Sequence, residues 1–160
     1  MKRIIFIGQA MPRVKRYPHD WPSLNKWLYS IGISDDQIDK YFCYSALVDY
    51  FPGSKNGSHL VPTEEEIKKE RLRLAKTIKD FNPELVVTIG KLSMEHCLRV
   101  EANLLKDVIG RKFNTDPYGL IGKKLDIIPL PHPSGASTWR HNPENKKLLN
   151  KALRLLKENL

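Results

Sequence analysis

Cysteine is scarce in this chain: Cys43 and Cys97 are the only two among 160 residues, too few for a disulfide scaffold. Stability must then come from an apolar core, and the expected compartment is a reducing one, the cytoplasm. Long hydrophobic runs are also missing, since none approaches the roughly 18 residues that cross a bilayer, and mean hydropathy is −0.45. Both observations read against a membrane protein. The opening Met1–Ala10 has too short an apolar stretch for a secretory signal. Glycine-rich phosphate loops are absent as well. Gly8 is followed by no second and third glycine at P-loop or dinucleotide spacing, which excludes a nucleoside triphosphatase of that kind. Acidic residues are in deficit, 18 against 27 Lys plus Arg, for a net charge of +9. Such a surplus suits a polyanionic partner, because cations that neutralise phosphates release counterions and gain affinity without reading sequence.

What is present is enough for one compact domain, with 41% apolar residues to fill its core. Short apolar runs alternate with longer helical periodicities, the signature of an α/β chain. Ile4-Ile5-Phe6-Ile7 reads as a strand buried on both faces that stops at Gly8. A basic loop, Gln9 to Asp20, follows. Leu24, Trp27, Leu28 and Ile31 fall three and four apart and predict a helix over Ser23 to Ile31, stopped by Gly32. A second strand is expected over Tyr41 to Val48. After a Gly- and Ser-rich stretch from Pro52 to His59, Thr63 with Glu66 forms a capping box ahead of Ile67, Leu74, Ile78 and Phe81. The other face of that helix carries Lys68, Lys69, Arg71, Arg73, Lys76 and Lys79, read as solvated surface. Leu85–Ile89 and Leu125–Leu130 complete four strands, with a helix over Ser93 to Leu98 between them. Asn142 caps a last helix that opens on Pro143 and buries Leu148, Leu149, Ala152, Leu155 and Leu156. The expected architecture is a three-layer αβα domain around a four-stranded parallel sheet.

Ligands of open parallel sheets bind beyond the carboxyl ends of the strands, so the residues following each run are the ones to inspect. They are Gly8 to Arg13, Asp49 to Gly53, Gly90 to Ser93 and Pro131 to His141. In the last, Pro131 and Pro133 flank His132 and stiffen the backbone around it. A lone histidine is ordinarily a structural turn residue; this one follows a buried strand directly. Ser134, Ser137, Trp139 and Arg140 then supply hydroxyls, an aromatic face and a cation suited to phosphate and base contacts. His96 reads as helix packing. His19, Asp20 and His59 are too dispersed for a zinc site.

Gly8-Gln9-Ala10, Pro62-Thr63 to Ile67, Pro83 to Lys91 and Pro131-His132-Pro133-Ser134-Gly135-Ala136-Ser137 together resemble the uracil-DNA glycosylase superfamily, in the right order over nearly the whole chain. The likeness is closest to the family 4-like branch, and the His-Pro-Ser segment followed by Asn142 to Asn145 and a leucine helix is its most specific element. The resemblance implies a DNA partner, single- or double-stranded, from which a damaged base is flipped into a pocket at the strand ends. It implies His132 as electrophilic donor to the departing base and Gln9 as the residue that positions water, where many relatives use a carboxylate or asparagine. Gly8, Ala10, Ser45 and Ala46 would border the base, and Trp21, with Tyr17 second, would stack on it. Ser134, Gly135, Ser137, Arg140 and Lys91 would hold the strand, and Ala136 or Trp139 would stand where relatives insert a wedge.

The chain departs from the family at two places. Relatives that read uracil use an asparagine near the end of strand two, where this sequence has Ala46 with Ser45 beside it. Many family 4 enzymes hold a four-cysteine iron–sulfur cluster; Tyr50 stands near one of those positions, so no cofactor and no metal are expected, and Cys43 and Cys97 read as small hydrophobes. A monomeric glycosylase acting on uracil or another deaminated base is the leading expectation. The alternatives are a catalytically weak or inactive binding protein of the same fold, and a hydrolase of free nucleosides. Asp49 stays open as a general base or a surface turn residue, and His141 as a phosphate contact or surface residue.

Overall fold

A computed structural model describes residues 1–12, 21–99, 105–133 and 139–160. Along the chain run β1 (Ile4–Ala10), α1 (Pro22–Ser30), α2 (Asp35–Tyr41), β2 (Phe42–Val48), β3 (Ser54–Lys55), β4 (Ser58–His59), α3 (Glu64–Phe81), β5 (Leu85–Ile89), α4 (Lys91–Leu98), β6 (Phe113–Thr115), β7 (Leu125–Leu130) and α5 (Pro143–Glu158).

The central sheet is five-stranded in the order β2-β1-β5-β7-β6 and mixed, which corrects the expected four parallel strands. The four long strands are parallel, with Ile5 opposite both Cys43 and Val86. The added strand, β6, is antiparallel to β7, pairing Phe113 with Ile127 and Thr115 with Leu125. Three residues are too few to show a period of two, so this edge strand was invisible in the sequence. Asn114 donates to Asp126 Oδ1 at 2.8 Å across the pair.

The central strands β1, β5 and β7 are largely apolar on both faces because each face is covered. Ile4, Phe6, Val87 and Ile128 pack with Leu24 and Leu28 of α1, Ile38 of α2, and Leu149, Ala152, Leu153 and Leu156 of α5. Ile5, Ile7, Val86 and Ile127 pack with Ile67, Leu74 and Ile78 of α3 and Met94 and Cys97 of α4. This is the helix–sheet–helix layering that buried parallel strands require. α5 opens as expected, Asn142 Oδ1 accepting from the Glu144 amide at 2.9 Å with Pro143 in the first turn. In α3 the Thr63–Glu66 capping box is formed.

Other boundaries moved for local reasons. β1 continues through Ala10, so Gln9 and Ala10 are strand residues and not loop. Tyr41 ends α2 instead of starting β2; the capping box between Ser34 and Gln37 was a sequence signal for this helix. The Gly- and Ser-rich stretch forms the β3–β4 hairpin, turning at Asn56 and Gly57, both with positive φ. On α3, Arg73 is half-buried against β2 and is not part of a solvated face.

Candidate active site at the strand ends

Two of the sheet's strand ends meet at the chemistry. β1 delivers Gly8, Gln9 and Ala10 in register with β2, Gly8 beside Ala46 and Ala10 beside Val48, and the Met11 amide extends the ladder to the Val48 carbonyl at 3.1 Å. β7 delivers Pro131-His132-Pro133, with both prolines buried and the histidine exposed between them. The Gly90 amide donates to the Leu130 carbonyl at 2.9 Å and ties the end of β5 to this turn. Gly90 has φ +87°, and a Cβ built there would stand 4.0 Å from His132 Cβ, so the backbone conformation, more than crowding, calls for glycine. On the other side Arg140 Nη1 donates to the Pro133 carbonyl at 3.0 Å. Its guanidinium lies 5.9 Å from the Trp27 ring centre.

These surroundings decide the state of His132. Although the residue reaches solvent, the atoms packed about its ring strip water from the imidazolium, and the Arg140 charge repels a second cation. Both effects lower its pKa from the ordinary 6.5 and favour the neutral ring, which carries one N–H.

A cavity of about 430 Å³ opens beneath, within the range of about 300–1,000 Å³ usual for small-molecule sites. Gly8, Gln9, Ala10, Trp21, Ser45 and His132 all line it, six of the residues singled out in the sequence. Phe51, in the segment that follows β2, also lines it, as do Tyr44 and His59, which sequence reasoning did not place at the site. Tyr44 is held by its hydroxyl, which donates to Asn25 Oδ1 at 3.0 Å, and its ring meets Trp21 edge-on at 6.1 Å. The Trp21 indole N–H is buried on this wall with no hydrogen-bond partner among the described residues. Phe51 and His59 meet edge to face at 5.2 Å, brought together by the β3–β4 hairpin. The turn chemistry of Asn56-Gly57 was the signal that could have found His59.

Behind the cavity α3 grips the end of β2. Glu70 Oε1 accepts from the Asp49 amide at 3.1 Å, and Tyr50 donates to Glu66. That bond pushes the Tyr50 phenol up to about 12 and lowers the Glu66 carboxyl. Arg73 donates through Nη2 to the Ala46 carbonyl at 2.8 Å and through Nη1 to Ser45 Oγ at 3.3 Å.

The remaining sequence candidates fall elsewhere. Ala46 is 1% exposed and off the cavity wall. Lys91 opens α4, exposed, 3.8 Å from Glu95. Trp139 sits in a 3-10 turn, packed against the core and accepting at its carbonyl from Asn145 at 2.8 Å. Asp49, beyond β2, and His141 are exposed. Tyr17, His19, Asp20, Ser134, Gly135, Ala136 and Ser137 lie outside the described residues.

Among the described residues no group of three or more His, Cys, Asp or Glu is arranged to hold a metal. Two thiols cannot supply four thiolates, and burial pushes that of Cys97 up to about 12, so the donor set does not fit an iron–sulfur cluster. A second cavity, about 390 Å³, has a different lining that includes Glu64, Lys68, Arg71, His96 and Tyr118. There His96 Nε2 stands 3.2 Å from Glu64 Oε1. No helix of the described residues is long and apolar enough to cross a membrane.

No curated protein matches the chain. A family model matches residues 1–157, almost the whole sequence. By that match the chain belongs to the uracil DNA glycosylase superfamily.

Proposed function

We propose that the protein is a DNA glycosylase that removes a deaminated base, uracil or a similar one, by hydrolysing its N-glycosidic bond. The observation that carries this reading is the convergence of Gln9 and a neutral, backbone-clamped His132 on one aromatic-walled cavity at the strand ends. Breaking the bond builds positive charge on the sugar and negative charge on the departing base. His132 then donates its ring N–H to the base oxygen where that charge collects. A neutral donor is well matched to this task, since it strengthens its bond as the anion forms without a standing cation in the pocket. Gln9 orients the water that adds to the sugar; its amide cannot take the proton, so its part is positional. Trp21 and Phe51 offer faces for stacking on a flipped base. The +9 charge supports DNA as the partner, with Ser134, Ser137 and Lys91 as phosphate contacts. The working form in this reading is a cytoplasmic monomer.

The test is single-turnover cleavage of end-labelled oligonucleotides bearing uracil, hypoxanthine or xanthine, single-stranded and paired. Alkali-labile breaks at one of these bases support the reading and name the substrate. Intact substrates together with salt-dependent DNA binding would instead favour a binding protein, for which glutamine in place of a carboxylate is the motivating residue.

A further inference from the structure

We infer that Leu60 is the side chain that enters a DNA duplex at the damaged site and fills the space a flipped base leaves behind, with Val61 beside it against the neighbouring bases. The inference rests on the base-flipping reading above and adds to it the element of this chain that holds the duplex open.

Exposed apolar bulk is unevenly spread over the surface. Among the described residues the exposed large hydrophobic side chains are Met1, Tyr29, Tyr50, Leu60, Val61 and Leu72, and three of the six fall in the segment that joins β2 to α3. Leu60 is 41% exposed and Val61 60%. The same segment forms one side of the cavity at the strand ends, through Phe51, Pro52, His59 and Leu60. Leu60 thus belongs to the cavity lining and to the outer surface at once, which places it at the rim. Its backbone is tied down, since the Leu60 amide donates to the Gly53 carbonyl at 2.8 Å across the open end of the β3–β4 hairpin. A Cβ built on Gly53 would stand 3.4 Å from Leu60 Cδ1, so the leucine side chain lies over a residue that has none.

The gap left by an extruded base is walled above and below by the aromatic faces of its neighbours. A side chain that fills it gains contact with both and needs no hydrogen bond there, which suits an aliphatic residue of leucine's size. Ala136 brings a single methyl group to such a gap, and Trp139 is packed against the core. From Tyr50 to Thr63 the segment carries no acidic residue, and Lys55 on the hairpin adds a cation, so its own charge favours approach to phosphates.

Binding tests the idea apart from catalysis and apart from the identity of the excised base. The probes are a duplex with one tetrahydrofuran abasic analogue, which offers the gap ready-made, the intact duplex, and the single strand with the same analogue, each titrated with the full chain. The wild type is expected to favour the gapped duplex over the intact one by tenfold or more. Leu60→Ala should cut that preference about tenfold, in line with losing most of a leucine side chain's apolar burial, while single-strand affinity stays within twofold. Leu60→Met should restore most of it, and melting temperatures should match across the three proteins. No preference in the wild type, an undiminished preference in Leu60→Ala, or an equal loss on the single strand overturns the inference. A Leu60-dependent preference without cleavage of any deaminated base would leave it standing and overturn the glycosylase reading.

Discussion

Two histidines, His132 in the cavity at the strand ends and His96 in the second cavity, meet opposite surroundings. His132 stands beside Gly90 and is followed by Pro133, whose carbonyl Arg140 holds, so a cation is among its neighbours. His96 lies on α4 beside Glu64, whose side chain is 79% exposed. The first environment disfavours charge and holds the ring in one place, the arrangement a neutral donor needs. The second offers a carboxylate at hydrogen-bonding distance, in a pair open to solvent on its Glu64 side and of the kind worth about 0–1 kcal/mol. Residue type is the same in both. What differs is whether the fold supplies positive or negative company, and that difference separates a candidate catalytic group from packing.

The largest break in this contrast is His132→Ala, which should lower single-turnover cleavage on the order of 100-fold, the usual loss for one preorganised donor, while His96→Ala leaves the rate unchanged. Equal rates for the two variants would remove His132 from the mechanism. Next comes Arg140→Met, which frees the Pro133 carbonyl and deletes the repelling charge. Cleavage at pH 7 should fall about tenfold, in line with one charge-assisted hydrogen bond. The same change should raise the His132 pKa, read by NMR titration of the imidazole.

The wild-type titration carries a sign for stability. The folded pKa of His132 lies below the unfolded 6.5, so the unfolded chain binds more protons between the two values. This contribution is complete above pH 6.5 and is lost as pH falls through the window below it. Chemical denaturation midpoints measured down that window should fall, and less steeply in His132→Ala.

Gly90→Ala probes the backbone side of the clamp. A left-handed φ of +87° strains any residue with a Cβ, so stability should drop by about 1 kcal/mol, seen as a lower melting temperature. The smallest effect belongs to Glu64→Gln, which removes the carboxylate facing His96 and should change stability by less than about 1 kcal/mol. A larger loss there would show that the second site is built more tightly than its exposure implies.

Much of the fold was legible because buried elements carry periodic signals. The parallel strands β1, β5 and β7 announce themselves as apolar runs, and the caps at Thr63 and Asn142 mark the starts of α3 and α5. β6 and the β3–β4 hairpin escaped because two or three residues cannot show a period, and they owe their place to partners distant in sequence. In the site, Gly8, Gln9 and His132 were legible because they directly follow or end buried strands. Tyr44 and His59 were not, since a half-exposed aromatic residue and a hairpin position carry no periodic mark of a shared cavity. Arg73 was misread for a related reason. In a run of basic residues on a helix nothing local distinguishes the one that turns inward, and only β2, with unsatisfied polar groups at its end, draws that guanidinium in.

By itself, then, the sequence determined the layers, the parallel strands and the candidate histidine, because local propensity, apolar period and proline stiffness act over a few residues. The tertiary structure decided which polar groups share a cavity, which arginine faces inward and which histidine has a cation beside it. Desolvation and hydrogen-bond partnership depend on what the rest of the chain brings alongside, and no window of sequence contains that.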